Sequence, residues 1–238
     1  MPSQKRKRIP SNPNPNPWSR KKSRVTASAN VIPRSLKAFP KSMRVKLKYN
    51  SIFDGSIVSG STPTQYNWRA NSVFDPDAAV GGGQPRGFSQ WSNFYEKYHV
   101  VKSSCRLRLL DKDTGTSGTG TVTGLYGIAL RDGSAATTVR ELTEDDGSKY
   151  SGYDSWHAAS SITLYFDAAK HWGSANILDN DHLGGTTGTT LGSNPIDQAY
   201  FMTWASQAPS SGAAAQPFLW DVMLEYDVIF TDPKDLST

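Results

Sequence analysis

The first 53 residues of this 238-residue chain contain no aspartate or glutamate. The first acid is Asp54, and fourteen lysines and arginines precede it, all within residues 1–48. Twelve of the 26 cationic residues then remain to set against all 21 acids, so the rest of the chain carries a net −9. That split excludes an evenly charged globular protein and points to a polyanion-binding arm on a mildly acidic body. Cysteine is almost absent: Cys105 stands alone, which excludes an intramolecular disulfide and a cysteine-based zinc cluster. A lone thiol fits a reducing compartment. No apolar run reaches the roughly 18 residues that a membrane helix needs. The opening residues run into KRKR and then prolines without an apolar core, so no secretory leader is expected.

Residues 1–42 have too little apolar content for a core, and "SNPNPNP" (11–17) adds prolines that fix φ and remove donors. The segment is expected to be extended and disordered until something negative orders it. Lys5, Arg6, Lys7 and Arg8 form one cluster, and Arg20, Lys21, Lys22 and Arg24 a second. Arg34, Lys37, Lys41, Arg44, Lys46 and Lys48 complete the set of candidate nucleic-acid contacts. Each cation that neutralises a phosphate of a single strand releases a counterion, with a salt slope of roughly 0.7 per contact, so fourteen contacts give about −10. Trp18, between the clusters, is a candidate for base stacking. Lys5 to Arg8 and Arg20 to Lys22 also read as the two halves of a nuclear import signal, separated by residues 9–19. Disorder would let one arm serve a host importin first and nucleic acid later.

From residue 43 the pattern has period two. Val45, Leu47, Tyr49 and Phe53 share one face of a strand, and Arg44, Lys46, Lys48 and Asn50 the other. In "FLWDVMLEYDVIF" (218–230) every even residue is apolar, and the odd face carries Asp221, Glu225 and Asp227. Weaker alternation predicts strands at 99–110, 121–131 (Val122, Tyr126, Ile128, Leu130), 161–167 (Ile162, Leu164, Phe166) and 199–205 (Tyr200, Met202, Trp204). Gly/Ser/Thr-rich stretches at 113–121, 184–194 and 206–216 read as loops. The one helical signal is an aromatic stripe, Phe88, Trp91, Tyr95 and Tyr98, at spacings of three and four. Many strands, long connections and one short helix predict an all-β antiparallel sandwich or jelly roll over residues 43–238.

Enzyme signatures fail on inspection. "GGGQPRG" (81–87) has no Lys-Ser/Thr and has proline where a donor N–H is needed, so the glycines serve a turn rather than a phosphate. Asp113-Thr114-Gly115 resembles half of an aspartic protease site, but no second copy is present to share a proton. His99, His157, His171 and His182 are far apart. The oxygen-rich "LDNDH" (178–182), with Asp179, Asn180, Asp181 and His182, lacks a spaced ligand loop and reads as a polar turn. No metal, cofactor or catalytic residue is expected. A sequence-specific regulator would need a base-reading helix, and the aromatic helix does not supply one.

The segments "NSVFDPD", "GQPRGFSQW" and "YEKYHVVKSSCRLRLL", with the final "VMLEYDVIFTDPK", resemble the capsid proteins of small eukaryotic viruses with circular single-stranded DNA. The likeness covers the basic arm, residues 67–110 and the last strand. Small icosahedral RNA viruses have related capsids, so the genome type stays open between DNA and RNA. The resemblance implies an eight-stranded jelly roll, self-association of about sixty or more copies in an icosahedral shell, and an arm that packages single-stranded nucleic acid. It implies a virion location, with passage through the host nucleus, and no membrane partner.

Overall fold

The computed structural model describes residues 39–57, 62–79, 83–111, 123–154, 160–188, 192–207 and 216–234. Two antiparallel sheets face each other. The first contains β1 (Ser42–Ile57), β9 (Gln216–Pro233), β3 (Tyr95–Asp111) and β6 (Ile162–Asp167), in that order, with the short β7 (Gly184–Thr186) also on β3. The second is ordered β2 (Thr64–Arg69), β8 (Tyr200–Gln207), β4 (Thr123–Arg131), β5 (Ser148–Asp154). With β7 set aside, the eight remaining strands divide four and four; each crosses to the other sheet from its predecessor except β5, which stays beside β4, in the nested antiparallel order of a jelly roll.

The alternation in β9 is the foundation of this fold. Phe218, Trp220, Val222, Leu224, Tyr226, Val228 and Phe230 are all buried between the sheets, each contributing about 1.5–3 kcal/mol on removal from water. β1 runs beside it in unbroken register from Ser42↔Thr231 to Ile57↔Gln216. Leu47 is buried, Val45, Tyr49 and Phe53 pack against the core, and Arg44, Lys46 and Lys48 are exposed. Phe53 stacks on Trp220 at 6.1 Å between centroids, and Tyr66 meets the same indole edge-on at 5.1 Å. Gly55 is required here, since a Cβ would stand 2.7 Å from the indole nitrogen.

The aromatic stripe departs from expectation. The helix, α1, covers only Phe88–Ser92, and Tyr95 and Tyr98 already belong to β3. Both tyrosines are fully buried, and their rings join one aromatic cluster: Tyr95 lies 6.2 Å from Phe230, and Tyr98 5.7 Å from Phe88, which is itself 6.1 Å from Phe230. A helix end and a strand start that feed the same cluster leave a spacing of three that imitates a longer helix. Gly87, at φ 95°, makes the left-handed entry to α1, and the Phe88 N–H donates to the Pro85 carbonyl. Gly81 and Gly82 lie outside the described residues.

Three short α-helices occur among the described residues rather than one. Thr138 caps α2 (Val139–Glu144) by accepting from the Glu141 N–H. The Glu141 carboxylate accepts in turn from the Thr137 N–H, an arrangement close to a capping box. Asp167 caps α3 (Ala168–Trp172), and Gly173 at φ 63° ends it. α2 also explains a second departure. Met202 and Trp204 face away from the main core, into a small cluster with Ala129, Ala136 and Leu142 on the outer side of the second sheet. Phe201 and Ala205 face the inter-sheet core instead.

The 184–194 stretch is not all loop. Gly184 and Gly185 pair with His99 and Tyr98. A Cβ on either would fall 2.5 Å or less from the facing ring, so only glycine lets this strand approach. Val122, all of 113–121 and most of 206–216 lie outside the described residues.

Candidate nucleic-acid interface

The outer face of the first sheet carries its charge in three rows. β1 contributes Arg44, Lys46 and Lys48, β9 contributes Asp221, Glu225 and Asp227, and β3 contributes Lys102, Arg106 and Arg108. Period-two geometry puts all nine on the side opposite the core. The acidic strand lies in the middle, so much of the basic row is neutralised within the subunit. Arg44 grips Asp227 through both ends of its guanidinium, with Nε to Oδ1 at 2.7 Å and Nη2 to Oδ2 at 2.6 Å. Lys48 Nζ lies 2.6 Å from Glu225, and Arg108 Nη2 lies 2.7 Å from the buried Asp221. Lys102 pairs across to Asp167 on β6 at 2.8 Å.

These contacts set the local electrostatics. The hydrogen bond from Arg44 holds the Asp227 carboxyl below its ordinary range; burial opposes it, and the charges of Arg44, Lys46 and Lys102 add smaller pulls downward. Asp167 is held down likewise by its bond from Lys102. Lys46 and Arg106 are left without a carboxylate partner among the described residues. Lys46 sits opposite Asp227 in register, but Arg44 occupies that carboxylate. Arg106 reaches only the Met223 sulfur at 3.9 Å. Lys41 is exposed just before β1 and has no ion pair among the described residues. The structure therefore separates the sheet's candidate cations into an engaged pair, Arg44 and Lys48, and available ones, Lys41 and Lys46. Arg106 joins the available set. Its place on the polar face of its strand is legible from sequence, but its freedom from a carboxylate is not.

Lys5, Arg6, Lys7, Arg8, Arg20, Lys21, Lys22, Arg24, Arg34 and Lys37 lie outside the described residues, as do Trp18, the import-signal clusters and Asp113-Thr114-Gly115. The chain emerges from that stretch at Phe39, whose ring lies 4.6 Å from that of Phe94. The Pro40 carbonyl accepts from the Tyr95 hydroxyl. Residues 39–41 thus anchor the start of the edge strand β1 against β3 and the Phe94 ring.

The other candidate clusters do not converge. In 178–182, Asp179 accepts from Asn176, Asp181 pairs with Lys97 at 3.3 Å, and His182 stands 3.6 Å from Asp197. Gly83 packs against Tyr49, where a Cβ would meet the phenol oxygen at 2.5 Å. Its lack of a side chain serves packing there.

No protein-family description matches the chain, and no curated protein matches it. Among solved structures it is similar to a chain of Mud crab tombus-like virus, at 11% identity and a TM-score of 0.47, over 85% of this chain and 96% of that one. It is also similar to the 60-mer BFDV capsid protein, at 15% identity and a TM-score of 0.42, over 84% of this chain and 100% of that one. A third likeness is to a chain of Cucumber Necrosis Virus, at 12% identity and a TM-score of 0.45, over 83% of this chain and 59% of that one. The jelly-roll assignment rests on the strand order itself.

Proposed function

We propose that this chain is a non-catalytic structural subunit of a viral shell, which self-assembles through its jelly-roll body and packages single-stranded nucleic acid through residues 1–42. The observation that carries this reading is continuity of positive charge. Residues 1–38 carry ten cations and no acid and come just before the edge strand of a jelly roll in the chain, while Lys41, Lys46 and Arg106 add cations that have no carboxylate partner among the described residues. Such a leader condenses a polyanion without reading its bases. The sequence resemblance to capsids of circular single-stranded DNA viruses points the same way and favours DNA as cargo over RNA. The helices among the described residues have only five or six residues, too short to lie in a groove as a reader of sequence.

The paired clusters at 5–8 and 20–24 favour a second use, recognition by a host importin before assembly. Electron microscopy of the purified protein, with nuclease typing of whatever it contains, tests the proposal. Uniform hollow particles holding single-stranded nucleic acid are the expected outcome. Dimers that select a particular duplex sequence would replace this reading with that of a regulator.

A further inference from the structure

At the end of β6 the chain turns into α3, and two surface notches of opposite charge meet there. One, of about 600 Å³, is lined by Lys102, Lys170, Tyr165 and Asp167. Lys102 is paired with Asp167, but Lys170 has no carboxylate partner among the described residues. Lys149 adds a further cation, its Nζ 5.7 Å from the Tyr165 ring centroid. The other notch, of about 710 Å³, is lined by Asp132, Asp145, Asp197, Arg131 and Ile196. Its one cation among these is already engaged, since Arg131 lies 2.6 Å from Glu141 and 3.9 Å from Asp145. Leu130 and His171 line both notches, so they are neighbours on one surface.

Tyr165 in the cationic notch and Ile196 in the anionic one are the most exposed large apolar side chains among the described residues, at 71% each. An extended polyanion fits this surface poorly, because the carboxylates of Asp132, Asp145 and Asp197 adjoin the lysines. A partner carrying both signs in reversed order fits it well, and a second copy of this chain has that arrangement.

We propose that the paired notches form an isologous contact between two copies of this chain. A two-fold axis near His171 places the cationic notch of each copy on the anionic notch of the other. Symmetry satisfies both charge pairings at once, while Tyr165 packs toward Ile196 of the partner subunit and supplies the apolar centre that rim charges alone lack. This deepens the shell reading, on which it rests, by naming one of the contacts that a closed shell requires.

The test uses full-length chains carrying Tyr165→Cys or Ile196→Cys, treated with a short bis-maleimide. The native Cys105 is buried and does not compete. An equimolar mixture of the two variants is expected to give covalent dimers about tenfold in excess of either alone. In a second arm, Lys149→Glu with Lys170→Glu, and separately Asp132→Lys with Asp197→Lys, should each weaken pairing by about tenfold or more, and mixing the two variants should restore it. Normal particles without enrichment of cross-linked dimers in the mixture overturn this contact and leave the shell reading intact. Absence of any self-association overturns both. If the glutamate variant loses affinity for a single-stranded oligonucleotide but pairs normally, the notch binds nucleic acid and the contact is wrong.

Discussion

The Arg44 guanidinium and the Asp227 carboxylate are joined by two parallel hydrogen bonds, of 2.7 and 2.6 Å, across the pairing of β1 with β9. This fork ties the first strand of the body to the last and removes one cation from the set available to a polyanion. Arg44 remains 57% exposed on its side chain, so solvent screens the pair and its contribution to stability is less than about 1 kcal/mol.

Arg44→Ala should return the Asp227 carboxyl toward its ordinary pKa, read by carboxyl NMR titration. Because the folded value is depressed, the stabilisation is present above the unfolded carboxylate value of about 3.9 and lost as pH falls through the folded value. Denaturant unfolding should therefore show a small deficit for the variant at neutral pH that vanishes in strong acid.

Lys46→Glu and Arg106→Glu should weaken binding to single-stranded oligonucleotides and lower the salt slope, by roughly 0.7 for each phosphate no longer neutralised. Lys48→Ala should do less, since Lys48 already pairs with Glu225 at 2.6 Å. Fluorescence anisotropy over a salt series reads both numbers. Equal effects from all three positions would mean that the pairing in the subunit does not survive the arrival of nucleic acid.

Leu224→Asp or Val228→Asp should abolish soluble subunits, because each residue is fully buried in β9 and an unpaired buried charge costs several kcal/mol. Leu224→Ala should fold with a loss of about 2–5 kcal/mol. Soluble yield and denaturation midpoints distinguish the two outcomes.

His99 is 2% exposed. Burial is the main reason its pKa is pulled down, with the Lys97 charge next, against opposing pulls from Asp181 and Asp232. The unfolded chain therefore takes up the proton first, and stability should fall as pH drops below about 6.5. His99→Leu should flatten that dependence between pH 7 and 5 in thermal unfolding. A variant curve parallel to the wild type would assign the acid sensitivity elsewhere.

Strands buried on one face are legible in the sequence, since solvent on the other face enforces alternation; residues 43–53 of β1 and 218–230 of β9 show this, and the strands run a few residues beyond at their ends. Where both faces are covered the signal disappears. β8 is buried from Phe201 to Gln207, and the face read as core, Met202 and Trp204, belongs to the small outer cluster under α2. β7 escapes notice because its glycines contribute backbone pairing and no side chains. The basic row on β1 is visible from residues 44–48 alone. Its neutralisation is not, because Asp227 and Glu225 come from a strand about 180 residues later in the chain.

The most direct test of the account is the nucleic-acid content of particles assembled from protein lacking residues 1–38, a deletion that spares the contacts of Phe39 and Pro40 with the body. A folded β protein that still forms shells is expected, with ultraviolet absorbance and nuclease assays showing them nearly empty. Shells as full as those of the intact chain would contradict it.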